Sequence, residues 1–181
     1  MCAATLFASG GMKHASIPCD RLCNRRGAVF FPASALAWGD VGHKVVCEIA
    51  HLELKPEIKA RVDALTAADP RFHSFAESCT WPDIFPWQRP PEHYVNLPRT
   101  SPGLDPAKPC PEADRCVVSA ILADARDLAF ASDVMEQARL LKSLGHWVGD
   151  VHQPLHVSLA DDKGANLIAV TGACSPNLHA V

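Results

Sequence analysis

The sequence predicts a mainly α protein, on three observations. Apolar residues recur at helical spacing in several segments, no strand–helix alternation marks a parallel sheet, and a cluster of histidines and an aspartate lies beside a strongly helical run. The cluster is "HWVGDVHQPLH", His146 to His156. Polar groups able to bind a metal are rare on the buried side of a helix.

Residues 40–54 place Val41, Val45, Ile49 and Leu52 three or four apart, as one helix face requires. Pro56 suits the first turn of a second helix, "PEIKARVDALTA". Residues 69–116 are rich in proline and lack periodicity, which predicts a long irregular segment of the functional kind. Residues 117–131 read as a helix with Val117, Ile121, Leu122, Ala125 and Leu128 turned inward. Ser132 or Asp133 can cap the next helix, which runs towards Pro154. Beyond residue 160, "NLIAV" reads as a short strand.

The chain has 181 residues, 48% of them hydrophobic, enough for one domain with a core. Its formal charge of −3 excludes a broad basic face for duplex nucleic acid. No apolar run is long enough to span a membrane and no internal repeat is present. The sequence points to no membrane partner and to a monomer.

Residues 1–37 read as a leader. A basic stretch, a short apolar stretch and Ala35-Leu36-Ala37 follow in the order of a secretion signal, with cleavage before Trp38. A disordered leader is the alternative, and residues 38–181 form the domain. Export to the periplasm or the exterior permits disulfides. Of eight cysteines, five follow residue 37, and Cys110 and Cys116 flank the loop "CPEADRC" as the best pair. An odd number leaves at least one free or paired elsewhere.

His146 and Asp150 are four residues apart, so both face one side of a helix and can share an ion. His156 follows Pro154, which ends the helix and turns the chain back, whereas His152 points away from that face and is left out. The pair is not isolated. The ordered set "WGDVGH", "WPD", "HYVN", "HWVGDVHQPLH" and "NLH" resembles the zinc-dependent S1/P1 nucleases, relatives of the zinc phospholipases C, from Trp38 to the end of the chain.

The resemblance implies a multi-helix domain with three zinc ions at the base of a cleft. Asp83, His93, His146 and Asp150 would hold the first ion. Asp150 would bridge to a second, held also by His43 and by the main-chain amine and carbonyl of Trp38 once the leader is removed. His156 and His179 would hold the third. It further implies an endonuclease and 3′-nucleotidase that hydrolyses single-stranded DNA or RNA to 5′-nucleotides through a hydroxide held between two of the ions, with Asp83 as the catalytic partner of that water. Tyr94 or Phe85 could stack bases, although core packing accounts for such aromatics equally well. A zinc phospholipase C, an inactive zinc-binding fragment and a purely structural helical protein are the alternatives.

Two features depart from the family pattern. After "NLH" the family continues with a tryptophan and an aspartate that completes the site of His156 and His179, then with further helices. Here the sequence reads Ala180-Val181, so the expectation is a C-terminally truncated domain lacking those helices, with one ligand missing, exposed apolar helix faces, weak stability and low activity. "KGAN" has Ala165 where a second glycine is usual, and a left-handed backbone there resists alanine.

Overall fold

A computed structural model of the protein describes residues 39–85, 87–171 and 177–180. The expected leader, Trp38 and Cys174 lie outside the described residues. Helices dominate: α1 (Gly39–Leu52), α2 (Pro56–Ala67), the single turns α3 (Phe75–Ser78) and α4 (Trp81–Ile84), α5 (Val117–Phe130) and α6 (Val134–Val151). Short 3₁₀ turns span Pro90–His93, Pro154–His156 and Leu178–Ala180. The mainly α class expected from the sequence is the class observed.

Helix boundaries follow local chemistry. Asp133 caps α6, its carboxylate accepting from the Glu136 amide at 2.8 Å. Pro56 sits at the start of α2, where its missing N–H costs nothing. α6 stops at Val151 rather than at Pro154, because a proline disfavours helical backbone in the residue before it. The irregular segment is not wholly irregular. It contains α3, capped by the Ser74 hydroxyl accepting from the Glu77 amide, and α4. "NLIAV" forms no strand, contributing only an isolated antiparallel bridge between Ala169 and Asn177.

α6 is the central element, packed against α1, α2, α4 and α5. One core cluster joins Val95, Cys110, Cys116, Val117, Ala120 and Trp147. A second joins Cys47, Val62, Phe75, Ala76 and Cys79 on the other flank. Both hold a disulfide: Cys110–Cys116, as the loop spacing suggests, and Cys47–Cys79, which ties α1 to the end of α3.

On α1 the inward face is not the aliphatic one, and on α5 two residues expected to point inward are exposed. α1 buries His43 and Cys47, while Val41, Val45, Ile49 and Leu52 are 52–74% exposed. The two stripes are offset by two residues, about 200° around the helix, so α1 turns its small and polar side inward. In α5, Val117, Ala120 and Asp124 are buried, whereas Leu122 and Ala125 face solvent. Asp124 displaces the aliphatic residues because it is fully engaged: Arg89 grips it with two guanidinium nitrogens at 2.7 and 3.0 Å, and the Trp147 indole N–H donates to it at 2.7 Å.

A two-stranded parallel sheet positions the rest. β1 (Val95–Leu97) pairs with β2 (Val157–Leu159), with Val95 opposite Val157. His93 lies two residues before β1 and His156 immediately before β2, so the pairing brings two imidazoles from distant segments to one end of the sheet.

Candidate metal centre

Six side chains converge at the junction of α1, α4, α6 and the two 3₁₀ turns ahead of the strands: His43, Asp83, His93, His146, Asp150 and His156. Asp83 Oδ1, His93 Nδ1, His146 Nε2 and Asp150 Oδ2 form one group. His93 Nδ1 is 3.6 Å from Asp83 and 3.3 Å from Asp150. His146 Nε2 is 3.5 Å from Asp83, 3.2 Å from Asp150 and 3.1 Å from His93 Nδ1. Donors placed tetrahedrally at ~2.0–2.2 Å from zinc lie roughly 3.3–3.6 Å from one another. These side-chain atoms already stand near that spacing.

The other carboxylate oxygens face a second group. His43 Nε2 is 3.6 Å from both Asp83 Oδ2 and Asp150 Oδ1, and His156 Nδ1 is 2.9 Å from Asp150 Oδ1. The two oxygens of Asp150 therefore serve different sets of imidazoles, the arrangement of a bridging carboxylate. The His179 ring stacks on His156 with centroids 5.1 Å apart.

The hydrogen bonding suits a cation. His146 Nδ1 donates to the Cys79 carbonyl at 2.7 Å, and His179 Nδ1 donates to the Gly164 carbonyl at 2.6 Å. Each bond fixes the tautomer and leaves Nε2 with its lone pair free, as in metal-binding histidines. A lone pair aimed at two carboxylates is repulsive unless a positive charge lies between them. Both Asp150 oxygens and His156 Nδ1 are buried without a well-aligned hydrogen bond, although buried polar atoms are ordinarily satisfied. The described residues thus fit a divalent ion, in the groupings His43–His146–Asp150 and Asp83–His93–His146.

Electrostatics agree. Burial, then the adjacent His146, pushes the His43 pKa down to about 3, which keeps the imidazole neutral. Burial opposes the charged form of Asp150, but His146, His156 and His93 outweigh it and hold the carboxyl well below the usual range. Burial pushes Asp83 up, against the pull of His146 and His93. Burial likewise disfavours a proton on His146, yet Asp150 and Asp83 raise its pKa, so a proton there can stand in for a cation. His179 is lowered, mainly by burial.

Of the residues singled out from the sequence, Trp38 lies outside the described part. His152 is exposed and donates to the Val148 carbonyl of its own helix. Tyr94 lines the cleft above the centre, whereas Phe85 packs against Trp81 and Trp87. The backbone at Lys163, Gly164 and Ala165 is left-handed at three successive residues, so alanine does occupy a strained position at 165. Gly164 is tightly constrained, since a Cβ would meet the Leu155 carbonyl at 2.4 Å.

Two glycines of α6 escape a reading that looks only for ligands. A Cβ on Gly145 would meet Cys79 Sγ at 2.5 Å and Cys47 Sγ at 2.8 Å, and one on Gly149 would meet His43 Nδ1 at 2.5 Å. A helix-interior glycine costs about 1 kcal/mol relative to alanine. Here the cost is offset by close approach, with one glycine admitting the disulfide and the other the His43 ring. The signal was a pair of glycines four apart, each next to a histidine or aspartate. Gly149→Ala is expected to push His43 out of the centre, to destabilise the fold by about 1–3 kcal/mol and to lower metal content, measured by thermal unfolding and metal analysis.

A mainly helical domain thus carries a buried cluster of imidazoles and carboxylates, spaced to accept a divalent ion, under an open cleft. The S1/P1 Nuclease family model matches residues 38–181, and the chain belongs to that family. It is 35% identical to Endonuclease 4 of Arabidopsis thaliana over 75% of this chain and 50% of that protein. It is 32% identical to Endonuclease 5 of the same plant over 81% of this chain and 55% of that protein. With Nuclease S1 of Aspergillus oryzae the identity is 27%, over 78% and 52%. The chain spans about half the length of the curated relatives it matches.

Proposed function

We propose that this chain is a zinc-dependent hydrolase of phosphodiester bonds, cutting single-stranded DNA or RNA to 5′-nucleotides. The observation that supports it most is the set of four donors, Asp83, His93, His146 and Asp150, standing 3.1–3.6 Å apart wherever they face one another. His43, His156 and His179 extend the set toward further ions, with Asp150 between. Imidazole and carboxylate donors without thiolates suit zinc.

Zinc ions held there would supply Lewis acidity and a water of lowered pKa, ~7 in favourable cases. The chain's own residues supply the rest. His146 and His179 are oriented by backbone carbonyls, so their donor atoms do not reorient during reaction. Asp83, pushed up by burial, is the better proton acceptor of the two carboxylates and is the candidate to orient the attacking water. Asp150, held ionised, is the fixed negative charge of the centre. The cleft of about 690 Å³ above them admits a nucleotide-sized group.

No described helix is long and apolar enough to cross a membrane. The two disulfides are consistent with an exported protein. The test is metal analysis of the purified chain with assays on single-stranded DNA and on phosphatidylcholine. Bound zinc, cleavage of the DNA and loss of that activity on chelation are expected. A protein that binds no zinc, or that turns over only the lipid, would refute the proposal.

A further inference from the structure

The lining of the cleft includes two basic side chains, Arg115 and Lys163, and they come from different segments. Arg115 ends the disulfide-closed loop Cys110–Cys116. Lys163 opens the left-handed turn after β2. A chain of net charge −3, with two carboxylates at the cleft floor, offers little general attraction to a polyanion. Any hold on the backbone of a nucleic acid beyond the reacting phosphate falls to local cations.

Both are built into place. One Arg115 guanidinium nitrogen lies 3.2 Å from the carboxylate of Glu92, a side chain only 3% exposed. Glu92 is gripped in turn by Arg89. That anchor engages one terminal nitrogen of the guanidinium and leaves its other N–H donors toward solvent, since the Arg115 side chain is 66% exposed. Lys163 forms no ion pair among the described residues. Its backbone is pinned at positive φ by the turn, where the Gly164 amide donates to the Leu159 carbonyl and the Ala165 amide to the Asp162 side chain. Strain of this kind persists where the fold over-determines it, commonly at ligand sites.

We infer that Arg115 and Lys163 bind the phosphates flanking the scissile one, making them residues that favour a polynucleotide over a single nucleotide. The inference rests on the reading of this site as a phosphodiester hydrolase centre and adds where the strand is held.

The test is anisotropy of a short fluorescent single-stranded oligothymidylate with cleavage-resistant phosphorothioate linkages on the zinc-loaded chain, titrated at several salt concentrations, for the wild type, Arg115→Ala, Lys163→Ala and the double variant, with cleavage of the unmodified oligothymidylate assayed alongside. Each single replacement should reduce the slope of log affinity against log salt by roughly 0.7, the value for one phosphate contact on a single strand. The double variant should bind at least tenfold more weakly at moderate salt. Arg115→Lys should restore the slope, which a purely structural role beside Glu92 would not require. Zinc content measured alongside confirms an intact centre. An unchanged slope in Lys163→Ala and the double variant, or wild-type binding indifferent to salt, would overturn the inference. Salt-dependent binding lost in the variants without any cleavage by the wild type would instead sink the hydrolytic reading and leave the anion-binding cleft standing.

Discussion

Replacing Asp150 with asparagine removes the charge shared by both sets of imidazoles and, under the proposed zinc chemistry, should abolish metal binding. The side chain keeps its size, and the residue is fully buried in the last turns of α6. His93 and His146 lose the anion on one side, His43 and His156 on the other. Loss of metal assistance removes several kcal/mol of transition-state stabilisation, and each ~1.4 kcal/mol is tenfold in rate. Cleavage of single-stranded DNA should therefore fall on the order of 10³-fold or more, with zinc content falling in parallel. A variant with full zinc and wild-type rate would remove Asp150 from the centre altogether.

Asp69→Ala should be the most destabilising single change away from the centre. Asp69 accepts from Lys142 at 2.6 Å and from Arg71 at 2.7 and 2.8 Å. Lys142 is buried on α6, with its ammonium 4.4 Å from the Trp81 ring centroid and 5.3 Å from that of Phe72. Burial lowers the Lys142 pKa, against the pull of Asp69. Removing the partner leaves a buried charge uncompensated, which costs about 3–5 kcal/mol. The pH dependence has a definite sign. Hydrogen bonds from Arg71 hold the Asp69 carboxyl well below its ordinary range, with Lys142 assisting. Its contribution is fully present above the unfolded carboxylate pKa of ~3.9 and fades as pH falls below it. Denaturant titrations should show a constant gap between wild type and variant from neutral pH to about pH 5, narrowing below pH 4. A gap under ~1 kcal/mol at neutral pH would show the pair to be dispensable.

The helix-borne part of the centre was legible in the sequence. His146 and Asp150 sit at i and i+4, and both are fully buried on the same face of α6. The proline after Gln153 marked the turn that delivers His156. Other parts had no local signal. His93 and His156 meet through a parallel pair of three-residue strands, too short for any periodicity to announce. Asp124 is buried by partners 35 and 23 residues away, so the inward face of α5 was misjudged at Leu122 and Ala125. On α1 the aliphatic stripe and the His43–Cys47 stripe share the same period. Period alone cannot say which lies inward, and the decision rests on what α6 offers: two glycines that accept a ring and a sulfur pair. The local Cys110–Cys116 loop could be read from spacing, whereas Cys47–Cys79 requires the packing of α1 on α6.

That second disulfide has a consequence for how firmly the centre is held. It closes a loop between positions 32 apart in sequence, a constraint of about 3–4 kcal/mol in the chain-entropy description. It also links the helix that presents His43 to Cys79, whose carbonyl fixes the His146 ring. Closing the cross-link thus also ties together the backbone that presents the two imidazoles to each other. A chain kept reduced is accordingly expected to hold His43 and His146 against one another less firmly, read as a loss of thermal stability.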